Sequence, residues 1–85
     1  MKVLIPGLLR SYTRQREVDA KGATLAEVLA DLDRRYPGLR FRIVDEQDRI
    51  RPHIRVFLDG RQVHDLAMPV GIESEVQIVQ ALSGG

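Results

Sequence analysis

The sequence predicts an α+β fold, a mixed β-sheet with one main helix packed on one face. Two observations carry that expectation. β-forming runs stand near both ends of the chain, Val3-Leu4-Ile5 and Glu75-Val76-Gln77-Ile78-Val79-Gln80-Ala81, and one capped amphipathic segment lies between them. At 85 residues, 44% of them hydrophobic, the chain suffices for one compact core but not for two. Residues 1–85 are therefore expected to form a single domain.

The first strand is Val3-Leu4-Ile5, broken by Pro6-Gly7. No small-residue cleavage pattern follows Arg10, so a strand is expected there and not a leader. Glu17-Val18-Asp19-Ala20 alternates polar and apolar as a half-buried strand does, and a hairpin is expected across the Ser11-Tyr12-Thr13 link. Thr24 and Glu27 form a capping box. From there Leu25, Val28, Leu29, Leu32 and Tyr36 share one helical stripe, with Asp31, Asp33, Arg34 and Arg35 off it, and Pro37-Gly38 ends the helix.

An irregular stretch is expected up to about Pro52. Ile54, Val56 and Leu58 then alternate with Arg55, Phe57 and Asp59, and Asp59-Gly60 supplies a tight hairpin turn into Arg61-Gln62-Val63. Two strands, a helix and two or three further strands place the first and last strands side by side at the sheet centre, joined through a crossover. That arrangement is the ubiquitin-like β-grasp.

Composition removes several chemistries. The chain has no cysteine, which excludes disulfides, thiolate metal sites and cysteine nucleophiles among its own side chains. No apolar run approaches the roughly 18 residues of a membrane span, so a soluble, cytoplasmic protein without a membrane partner is expected. The net charge of +1 conceals an asymmetry: residues 34–61 carry eight arginines against four acids, and residues 62–85 three acids and no Lys or Arg. Alternation such as Arg40-Phe41-Arg42-Ile43 reads as the solvated side of a folded segment, so nucleic acid is not the expected partner.

Val3 to Arg10, the capped helix, the Val56-Phe57-Leu58-Asp59-Gly60 hairpin and the closing Gln77 to Gly85 resemble the sulfur-carrier family. That family contains the molybdopterin synthase small subunit, the thiamine-pathway carrier and the carrier for cysteine synthesis. The resemblance spans nearly the whole chain, and its specific part is the Leu82-Ser83-Gly84-Gly85 end. The sequence departs from the family pattern at Gly71-Ile72-Glu73-Ser74-Glu75 and at Gln80. Ile5-Pro6 and Leu9-Arg10 look more like the molybdopterin and cysteine carriers than the thiamine one.

The resemblance implies a carrier that is not itself an enzyme and binds no cofactor. Its Gly85 carboxylate would be adenylated with ATP by an adenylating enzyme of the ubiquitin-activating type. A persulfide sulfur would then displace AMP and leave a thiocarboxylate for a sulfur-acceptor enzyme, such as a molybdopterin synthase large subunit. The chemistry suits the residues: a terminal carboxyl titrates at roughly 3.3 to 3.7 and must be activated before a nucleophile attacks it. Glycine at positions 84 and 85 leaves the carbonyl unhindered and the backbone free to enter a narrow channel. Leu82 to Gly85 are expected to be a flexible tail reaching at most about 13 to 14 Å. Val79 and Phe57, with Leu82, are candidates for an apolar partner surface, core packing being the alternative.

Other candidates carry less. His53 and His64, with Asp59 and Asp65, lack a third convincing ligand, so no metal site is expected. Ser11, Ser74 and Ser83 stand in no nucleophile elbow. Arg10 is open between a solvated charge, an ion pair and partner recognition. Two other functions use the same residues: a ubiquitin-like modifier conjugated through Gly85, and a nucleic-acid-binding module using Arg40, Arg42, Arg49, Arg51 and Arg55. The sulfur acceptor is not specified by the tail.

Overall fold

In the computed structural model, which describes residues 1–81, β1 (Lys2–Leu4), β2 (Glu17–Asp19), β3 (Ile54–Leu58), β4 (Arg61–Val63) and β5 (Glu75–Gln80) form one sheet. The strand order is β2-β1-β5-β3-β4. β1 and β5 run parallel with Val3 opposite Val76, and the other neighbours are antiparallel. The period-2 alternation then sorts the side chains. Val18, Val3, Val76, Ile78, Val56 and Val63 are buried on one face, and their neighbours Lys2, Glu17, Glu75, Gln77 and Arg55 are exposed on the other.

The link from β1 to β2 is not a plain hairpin loop. It folds into a 3₁₀ turn (Gly7–Leu9) and one turn of helix, α1 (Arg10–Thr13), ended by Arg14 at φ 60°. Leu9 and Thr13 are buried there, which anchors a segment whose sequence has too few apolar residues to show a period.

Helix α2 (Leu25–Arg35) starts where the capping box places it. The Glu27 N–H donates to Thr24 Oγ1 at 3.3 Å, and Glu27 Oε1 accepts from the Ala23 N–H at 3.0 Å. Leu25, Val28, Leu29 and Leu32 are fully buried against the sheet, and Tyr36 follows as the half-buried C-cap. Asp31, expected among the polar residues off the stripe, is buried. It accepts from the Lys21 N–H at 3.0 Å and pairs with Arg34 and Arg35, which explains how a carboxylate is held there.

The expected irregular stretch contains a second short helix, α3 (Leu39–Ile43). Leu39 and Ile43, one helical turn apart, are both fully buried. Gly38 enters at φ 94°, and Asp33 Oδ1 accepts from the Gly38 and Arg40 N–H groups. Five residues present too little periodicity for a sequence pattern to register. Three strands follow. The Asp59-Gly60 turn takes φ values of 49° and 87°, the left-handed pair that tight hairpins prefer.

Candidate functional site

β5 is flanked by β1 at residues 75–77 and by β3 at residues 76–80, and its register against β3 is held to its last residue. Gln80 is opposite Ile54, and the next residue, Ala81, donates its N–H to the His53 carbonyl at 2.7 Å. The last described residue is therefore itself held in a backbone hydrogen bond. Leu82, Ser83, Gly84 and Gly85, the residues on which the carrier chemistry was placed, lie outside the described residues.

Beside the end of β5 the sheet face turned away from α2 is uncovered among the described residues. Leu4 is opposite Gln77, and Gln77 is opposite Phe57, so one row crosses β1, β5 and β3. Val79 lies two residues further along β5 on the same face, opposite Arg55. Val79 and Phe57 are thus brought to one face, half-buried, as the apolar alternation allowed. Val79, with Leu4, Pro6, Arg10, Arg16 and Gln80, lines an open depression of about 320 Å³; Phe57 stands outside it. Leu4 was legible as its outward partner once Val3 points inward. Arg16 was not, because it arrives through the Ile5 N–H bond to its carbonyl at 2.7 Å.

Arg10 is neither loose nor ion-paired among the described residues. Its Nε donates to the Ile5 carbonyl at 3.1 Å, which holds the guanidinium along the wall of the depression. On the α3 side of the exit, a second depression of about 340 Å³ is lined by Leu8, Tyr12, Arg42, His53 and Gln80. Arg42 donates from Nε to the Tyr12 hydroxyl at 2.8 Å, and this hydrogen bond raises its pKa further above the usual arginine range. Gln80 lies between the two depressions. Its Oε1 is buried and has no hydrogen-bond donor among the described residues.

The remaining candidates serve the backbone. Asp59 Oδ1 accepts from the Glu75 N–H at 2.9 Å, Asp65 Oδ1 from the Ala67 N–H at 2.9 Å, and Ser74 Oγ from the Gly71 N–H at 2.9 Å. His64 is exposed past β4, and His53 contributes its carbonyl to Ala81. Among the described residues no three His, Asp or Glu side chains converge as a metal site, and no helix is long and apolar enough to cross a membrane. Asp45 closes the turn after α3. Its pKa is held below the usual carboxylate value, first by the Arg49 N–H, against a smaller opposing effect of burial.

A mixed sheet with β1 and β5 at its centre, one main helix on one face and a last strand that ends beside an open face define a ubiquitin-like β-grasp protein. Residues 3–85 match the ThiS family, and the chain belongs to it. It is 32% identical over 89 residues to the sulfur carrier protein CysO of Mycobacterium tuberculosis, spanning 98% of this chain and 96% of the relative. Among solved structures, it superposes on a chain of the Amycolatopsis orientalis BexX/CysO complex with a TM-score of 0.91 at 32% identity, covering 99% and 98% of the two chains. SAMP1 from Haloferax volcanii superposes with a TM-score of 0.79 at 25% identity, covering 100% and 98%. The chain is accordingly a small sulfur-carrier protein and not a catalyst.

Proposed function

We propose that this carrier works through the carboxylate of Gly85, in the manner of the CysO proteins and not as a molybdopterin synthase subunit. A partner adenylating enzyme joins that carboxylate to the α-phosphate of ATP and releases pyrophosphate. A persulfide sulfur then attacks the activated carbonyl, and the bond to AMP breaks as the carbon–sulfur bond forms. A thiol cleaves the remaining S–S bond, leaving the thiocarboxylate that an acceptor enzyme consumes. A cytoplasmic location, where ATP and reduced thiols are at hand, belongs to this reading.

The observation that carries this reading is the hydrogen bond from Ala81 to His53, beyond which four residues remain. Those four reach at most about 14 Å, enough to insert the carboxyl into a partner's pocket while Leu4 and Val79 stay outside against its rim. The identity of 32% to CysO favours an acceptor of the cysteine-forming kind over a molybdopterin precursor. Intact-mass analysis after incubation with the adenylating enzyme, ATP and a sulfur donor tests the reading. The expected result is the mass gain of one oxygen-to-sulfur exchange, and an unchanged mass with every adenylating enzyme of the source organism overturns it.

The likeness to SAMP1, a small archaeal modifier protein, supports a second reading in which the same activated Gly85 is transferred to lysines of other proteins. Lysines carrying the isopeptide-linked peptide 62–85 in tryptic digests of the host proteome are the expected sign of it, because no Lys or Arg follows Arg61, and their absence overturns it.

A further inference from the structure

Arg42 on α3 and Arg51 beside it are held differently from Arg34 and Arg35 on α2 and from Arg40 on α3. Arg34 and Arg35 each use a terminal guanidinium nitrogen on Asp31, and Arg40 uses one on Asp48. Arg42 and Arg51 use Nε instead, Arg42 on the Tyr12 hydroxyl at 2.8 Å and Arg51 on the Phe41 carbonyl at 2.7 Å. The Arg51 guanidinium also lies over the Phe41 ring, 4.5 Å from its centroid, a second contact that restrains it. Among the described residues neither pairs with a carboxylate, and the terminal nitrogens of both make no hydrogen bond.

The two forks are neighbours. Arg42, Arg51, Phe41 and His53 line one depression, and the His53 carbonyl holds Ala81 at the root of the tail. Leu8, 67% exposed, and Phe41, 53% exposed, add apolar surface beside them.

We propose that Arg42 and Arg51 form a carboxylate-docking site, and that its occupant is an acidic surface patch of the protein that receives the C-terminal tail. The identity of that partner, and only that, rests on the carrier reading. A guanidinium anchored at Nε presents both terminal nitrogens to one carboxylate, and because its stem is already fixed it loses little freedom on pairing. The site stands on the α3 side of the tail root, opposite the open sheet face of Leu4 and Val79, so a partner engaging both would clamp the exit. A protein suits it better than a nucleic acid. One face of Phe41 is already taken by Arg51, and a net charge of +1 attracts a polyanion weakly.

The test titrates the full ¹⁵N-labelled chain with a blocked oligoglutamate peptide and follows the arginine Nε–Hε resonances. Saturable, salt-sensitive shifts at Arg42 and Arg51, with Arg34, Arg35 and Arg40 unmoved, support the site. The R42E/R51E variant is expected to bind about tenfold more weakly, and R42K/R51K, which keeps the charge and loses the fork, to lose most of that affinity too. Equal shifts at all arginines, full binding by the lysine variant, or tighter binding of an RNA oligonucleotide of equal charge at the same residues would each overturn it. In steady-state adenylation, R42E/R51E is expected to raise KM for the carrier and leave kcat unchanged, and an unaltered KM counts against the site. Peptide shifts at Arg42 and Arg51 in a chain that never gains sulfur retain the docking site and reject the carrier reading.

Discussion

Where β1 and β5 begin, cations and carboxylates meet. The N-terminal ammonium pairs with Asp19, Lys2 with both Glu17 and Glu75, and the nearby Asp31 with Arg34 and Arg35. Where β5 ends, Arg10, Arg42 and Arg51 bond through Nε to uncharged oxygens, and Gln80 Oε1 is buried without a donor among the described residues. The first end satisfies its charges internally and so holds the fold. The second leaves binding capacity unspent, which is what a surface awaiting a partner requires. Substitutions at the first end should therefore change stability, and substitutions at the second should change transfer.

The largest separation is expected at Gly85. Adding one residue after it moves the carboxyl by up to about 3.6 Å and should abolish thiocarboxylate formation by mass spectrometry, with an unchanged thermal melt. In the core, Leu32→Ala empties a fully buried position under the sheet and should cost about 2 to 5 kcal/mol in denaturant unfolding, enough to lower activity only through unfolding.

Asp31 tests the paired end directly. The Lys21 N–H is the main cause of its lowered pKa, and burial opposes it, with Arg35 and Arg34 adding to the lowering. Its folded pKa lies below the ordinary 3.8, so its contribution is fully present above that value and is lost as pH falls through the folded one. Asp31→Asn should flatten the acid limb of the stability profile without changing KM for the carrier in adenylation.

At the other end, Val79→Asp, half-buried in the open face, should weaken partner engagement about tenfold while moving the melting temperature little. The smallest effect is expected for Thr24→Ala, which removes the α2 cap and should cost about 1 kcal/mol, with transfer unaffected in folded protein. Loss of transfer there, or loss of stability in Val79→Asp, would break the division between the two ends.

Much of the paired end and the core was legible beforehand because local rules govern it. Thr24 and Glu27 mark a helix start through contacts three residues apart, and Asp59-Gly60 marks a turn through its own φ values. α3 escaped because its two anchors, Leu39 and Ile43, span a single turn. Asp31 escaped because its burial depends on the Lys21 amide ten positions away, and Arg16 because β-sheet pairing, not spacing, brings it to the exit.

By itself the sequence determined the strand–helix–strand order, the alternation along β3 and β5, and the absence of cysteine chemistry among the chain's own side chains. Those features follow from periodicity and residue type, which act over a few positions. Only the tertiary structure decided which arginines are used up and which are presented. That choice rests on meetings such as Arg42 with Tyr12 and Ala81 with His53, made between residues about 30 positions apart. Hydrogen bonding over such separations depends on the assembled sheet and helices, and no local pattern records it.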